Sequence, residues 1–179
     1  MTSLILTVVG PDRPGLVKAL SDVVARHDAN WLEGEMAQLA GQFAGIVHVQ
    51  APIESVEALS ADLDGLKAQK LYVHVTHSPE ADSADLRGTR LYELELIGLD
   101  RPGIVRDLAK ALATRSINVA KLKTLTESAP MSGELMFKAT ASLHAPEDTS
   151  HDDLHDALDQ LADDLDLDLS LNVATPQAG

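Results

Sequence analysis

Two rhythms of apolar and polar residues run along this chain, and they come round in the same order twice. Residues 3–9 form a short apolar run ended by Gly10, the pattern of a buried strand. The spacing then changes. Leu16, Val17, Leu20, Val23 and Val24 fall on one stripe at helical intervals, so a helix is predicted to begin at Pro14. Asn30 opens an extended segment reaching Leu39, Gly41 marks a turn, and residues 43–50 return as a third strand. Val56, Leu59, Leu63 and Leu66 share one face of a second helix over residues 54–69, and a last strand over 71–76 closes the unit.

From His77 to Thr89 the chain is polar and carries Pro79, Gly88 and several acids, which marks a linker. The order then repeats. Strand 91–97, a helix from Pro102 to about Arg115, strand 117–127, a hairpin around Pro130 to Gly133, strand 134–143, helix 150–164 and strand 165–173 follow one another. In the last, Leu165, Leu167, Leu169, Leu171 and Val173 alternate with polar residues, the period of a half-buried strand. Residues 174–179 make a frayed tail. The predicted organisation is two domains, 1–77 and 90–174, joined by a linker over 78–89.

Each unit reads βαββαβ. Right-handed crossovers place both helices on one face of a four-stranded antiparallel sheet. The predicted fold class is therefore α+β, two ferredoxin-like plaits in tandem. The other face of each sheet has no helix, so Ile5, Val9 and Ile97 there call for a partner, from the other repeat or from a dimer. Units of this size bury only about 60 to 65% of their unfolded surface, which predicts an intimate pair and a homo-oligomer.

The duplication is explicit in GPDRPGLV at residues 10–17 and GLDRPGIV at 98–105, an offset of 88 with six identical positions. Leu20 matches Leu108 and Asn30 matches Asn118 at the same offset. Such a repeat defines the folding unit. Within the motif, Gly10 ends the strand, Pro14 suits the first helical position, and Asp12 is placed to cap the helix and to complement its dipole. Gly15 lets a ligand or another chain approach the backbone. A plain helix cap would need fewer retained residues than these six.

Charge narrows the partners. The chain has 14 Lys plus Arg against 28 Asp plus Glu, a net charge of −14, which opposes direct binding of a phosphate backbone. Ten acids and no Lys or Arg lie in residues 147–168, a solvated helix face or a dock for a basic partner. Without cysteine there is no disulfide or thiolate chemistry. No signal sequence or spanning segment is read, so a cytoplasmic location is expected, with no membrane association. His151 and His155 in HDDLH share a helical face, yet a third zinc ligand and a base are wanting. No phosphate-binding lysine follows the Gly-rich turn, and no catalytic set stands out, so neither a cofactor nor an enzyme is expected.

The motif in both copies resembles the ACT domain, the amino-acid-sensing module of metabolic regulators. The D-R-P-G form, on a chain little longer than two such units, is similar to the repressors of the glycine cleavage system. The resemblance implies a non-catalytic regulator that binds a small amino acid, glycine or serine, and acts through a protein, a LysR-type transcriptional activator. It implies a site at Asp12 with Asn30 and Asp100 with Asn118, joined by Gly15 and Gly103. Arg13 and Arg101 either meet a ligand carboxylate or lie in solvent. Family members that clamp a ligand often carry Asn where this chain has Asp; an ionised Asp accepts but cannot donate, so it would face the ammonium group. The alternative is a scaffold without a ligand, acting through its sheet edges and acidic helix.

Overall fold

The computed structural model describes residues 1–78, 88–130 and 132–174. The chain divides into two compact units, Met1–Ala84 and Asp85–Gly179. The first runs β1 (Thr2–Pro11), α1 (Leu16–Arg26), β2 (Asn30–Leu39), β3 (Gln42–Ala51), α2 (Val56–Gly65) and β4 (Tyr72–His77). Short 3-10 turns, Ile53–Ser55 and Leu66–Gln69, extend α2 at both ends, so the predicted span of 54–69 is helical throughout, though not one α-helix. The second runs β5 (Thr89–Leu99), α3 (Ile104–Ala113), β6 (Asn118–Ser128), β7 (Leu135–Pro146), α4 (His151–Leu165) and β8 (Leu167–Val173).

Each unit is an antiparallel sheet, ordered β2-β3-β1-β4 and β6-β7-β5-β8. This is the ferredoxin-like α+β plait, twice. The repeat extends to irregularities: a bulge between Trp31 and Glu33 recurs between Val119 and Lys121, and Asp28 and Ser116 both take positive φ between helix and strand. Most of the predicted linker, residues 79–87, lies outside the described residues, as do Met131 of the hairpin and residues 175–179 of the tail.

Strand alternation decides the core. Leu4, Leu6 and Val8 of β1 face Leu16, Leu20, Val23, Leu59 and Leu63 of the helices, and Leu94, Leu96, Leu108, Leu112, Leu154 and Leu158 do the same in the second unit. Val17 was expected on that stripe but is 47% exposed, and its counterpart Val105 is exposed as well. Both sit on the edge of the stripe, in the first turn. Leu165 ends α4 instead of opening β8, so the buried face of that strand is Leu167 and Leu171. The uncovered faces differ between units. Val9 and Ile46 are exposed in the first, whereas in the second Leu91 and Ile97 flank Glu93 and Glu95 along β5, with Ser142 opposite Glu93 and Lys138 opposite Ile97.

Candidate functional site

The repeated motif forms an elbow between the first strand and first helix of each unit. Its entry is a close approach of two backbones. A Cβ at Gly10 would lie 2.5 Å from the carbonyl oxygen of Lys70, and one at Gly98 would lie 2.8 Å from that of Asp166 and 2.5 Å from Leu167 Cδ2. Lys70 and Asp166 are the corresponding corners, both at positive φ, where the second helical segment turns into the last strand. Only glycine leaves room for that crossing.

Two residues on, the Asp12 amide donates to the Gly41 carbonyl at the tip of the β2-β3 hairpin, at 2.9 Å. The Asp100 amide donates to Leu135 at 2.8 Å. These bonds hold the elbow backbone while both carboxylates stay exposed.

The helix starts later than the sequence pattern predicts. Pro14 is in the turn, Gly15 is the N-cap at φ 91°, and α1 begins at Leu16; Gly103 at φ 101° precedes α3 in the same way. A left-handed residue cannot continue a helix, so the proline stops short of the first helical position. Asp12 is accordingly not the cap. Each N-cap is a glycine and so offers no side chain to the amides of the first turn.

Both motif arginines turn back onto their own unit. Arg13 Nη2 donates to the Gln69 carbonyl at 3.0 Å and approaches Gln69 Oε1 at 3.3 Å, while Arg101 Nη2 donates to the Asp164 carbonyl at 2.9 Å. The acceptors lie at the C-terminal ends of the second helical segments, where carbonyls lack helical partners and the dipole favours a cation. Both arginines stay exposed while making these bonds. Nothing local in the sequence names Gln69 or Asp164 as their acceptors.

The two elbows differ at the glycine. Space around Gly15 is open, with nothing within 4 Å of an added Cβ, but at Gly103 the Arg106 guanidinium lies 3.1 Å away and bonds Asp107 at 2.8 Å. That hydrogen bond and charge hold the Asp107 carboxyl below its ordinary value.

The asparagines lie elsewhere. Asn30 pairs with Gln50, which pairs with Ser3, eight residues up β1 from Pro11 beside the elbow. At about 3.3 Å per residue, Asn30 is roughly 26 Å along the sheet from Asp12. Asn118 pairs with His144, opposite Leu91, and is displaced from Leu99 and Asp100 by the same count. Within one unit, then, the structure brings Asp12 together with Gly15, and Asp100 with Gly103, but neither Asp with its Asn.

One hollow reaches the residue on which Arg13 closes. A groove of about 800 Å³ between α1 and the end of the second helical segment is lined by Lys18, Asp22, Arg26, Leu66 and Gln69 among others. His151 stacks on buried Tyr92 with ring centroids 5.7 Å apart, and His155 pairs with Asp159 at 2.9 Å. Among the described residues no group of three or more His, Cys, Asp or Glu is arranged to hold a metal, and no helix is long and apolar enough to cross a membrane.

Comparison with known proteins assigns the fold. The ACT domain family model matches residues 2–76, and the second unit repeats that topology, so the chain has a tandem ACT-like fold. Two solved structures match over both units. The crystal structure of an unknown protein from Galdieria sulphuraria is 26% identical, with a TM-score of 0.85 over 97% of this chain and 99% of that one. A protein proposed as a glycine cleavage system transcriptional repressor is 20% identical, with a TM-score of 0.73 over 97% of this chain and 98% of that one. UPF0237 protein MK1213 of Methanopyrus kandleri is 41% identical over 49 residues, 27% of this chain, which spans about half (54%) of that relative.

Proposed function

We propose that this protein is a non-catalytic regulator whose elbows sense a small amino acid, glycine or serine, and which acts through a protein partner, a LysR-type transcriptional activator. One observation carries the reading: each elbow sets an exposed Asp three residues ahead of a glycine N-cap that offers its helix no side chain. A zwitterion needs opposite charge at its two ends. Its ammonium group would lie on Asp12 or Asp100 and its carboxylate on the first-turn amides beyond Gly15 or Gly103. Asn30 and Asn118, roughly 26 Å from the elbow of their own unit, would enter such a site only from another plait, which a second copy of the chain can supply. Binding would then favour one assembly by its differential affinity for it.

Calorimetry and thermal shift of the full chain against glycine, serine and the other amino acids test this. Saturable heat with glycine or serine, lost in Asp12→Ala or Asp100→Ala, is the expected result. No heat and no shift with any amino acid would leave the scaffold reading, which the exposed acids of α4 favour.

A further inference from the structure

We propose that Arg13 and Arg101 are positioning residues: each straps its elbow to the far end of the second helical segment, so that elbow and helix-to-strand corner are held as one body. This deepens the proposed sensing role and rests on it only where amino-acid affinity is measured.

Three contacts converge at each junction. The arginine donates to a carbonyl of the last helical turn, Gln69 or Asp164. The glycine three residues before it lies against the backbone of the corner, Lys70 or Asp166 to Leu167. The amide between them, of Asp12 or Asp100, is tied to the β2-β3 or β6-β7 hairpin end. All three recur in the second unit although the helices that supply the acceptors differ in sequence and in form, a 3-10 turn in one and an α-helix in the other. Capping a helix C-terminus is chemistry that a cation does well, and a guanidinium reaches a carbonyl 56 or 63 residues away without giving up its remaining donors. A ligand that shifts the elbow therefore shifts the corner. In the second unit that corner ends the acidic helix α4, so the strap links an elbow to a segment with ten acids and no Lys or Arg.

Amide hydrogen exchange of the full chain by NMR, on Arg13→Gln, Arg13→Lys, Arg101→Gln and Arg101→Lys, tests this. The hydrogen-bonded amides of Asp12, Lys70 and Leu71, and of Asp100 and Asp166, are the probes. Loss of one net hydrogen bond predicts exchange about three- to tenfold faster at both ends of the strap in the Gln variants. The Lys variants, still cationic, recover most of the protection. Faster exchange at the elbow alone, or at neither end, overturns the strap. Titration with glycine and L-serine forms a second arm: affinity lost in Arg13→Gln with exchange unchanged would make the arginine a ligand contact and overturn positioning. If the wild-type chain binds neither amino acid, the sensing role fails while exchange still decides the strap.

Discussion

Gly10 and Gly15 lie in the same motif, yet alanine should act at each through a different physical cause. At Gly15 nothing lies within 4 Å of the new Cβ, so the whole effect is the backbone conformation at φ 91°. A left-handed conformation costs an L residue about 1–2 kcal/mol. Stiffening the unfolded chain returns about 0.4–1 kcal/mol. The net loss is then about 0.5–1 kcal/mol. At Gly10 the backbone suits alanine, but the Cβ would sit 2.5 Å from the Lys70 oxygen and 3.3 Å from Leu71 Cα. Neither neighbour is a side chain that can swing away. The strand and corner must separate, at the upper end of the overpacking range, about 3 kcal/mol.

Urea unfolding of the full chain can read both, because the single tryptophan, Trp31, packs against the core of the first unit and reports its unfolding. With a slope of about 1.5 kcal/mol per molar urea, Gly15→Ala should lower the midpoint by about 0.5 M and Gly10→Ala by about 2 M. Equal shifts would refute the argument, since they would mean that the crossing at Lys70 relaxes freely.

Other perturbations give equally definite outcomes. Leu20→Ala and Leu108→Ala each empty a fully packed site under the sheet and should cost about 2–5 kcal/mol in their own units by urea unfolding. Ser150 caps α4 by accepting from the Asp153 amide at 3.3 Å, and Ser150→Ala should cost about 1 kcal/mol, read as earlier melting by circular dichroism. By NMR titration Asp107 should protonate below the ordinary Asp value, because Arg106 favours its charged form. Its folded value being depressed, the pair's support is complete above the unfolded Asp value and disappears as pH falls through the folded one. Arg106→Gln should return Asp107 to the ordinary range.

Legibility followed the range of the forces involved. The last strand reads from alternation and the helix over 54–69 from its spacing, because both are local properties. The duplication carried the same reading into the second half. The helix start was misplaced by two residues, since Pro14 suits a first helical position and nothing local announces that Gly15 takes positive φ. Likewise the equal 18-residue spacing of Asp12 to Asn30 and Asp100 to Asn118 suggested proximity. Spacing along the chain does not specify which end of a sheet each residue occupies.

What this sequence settles by itself is the duplicated order of strands and helices, the apolar face of each, and the elbows as the places where the two copies agree most closely. Tertiary structure alone decides that each Asp and its Asn stand at opposite ends of one sheet, and that Arg13 and Arg101 reach Gln69 and Asp164. The reason is physical. Periodicity arises from neighbours a few residues apart, whereas strand register and a bond across 56 residues exist only once the chain has closed on itself.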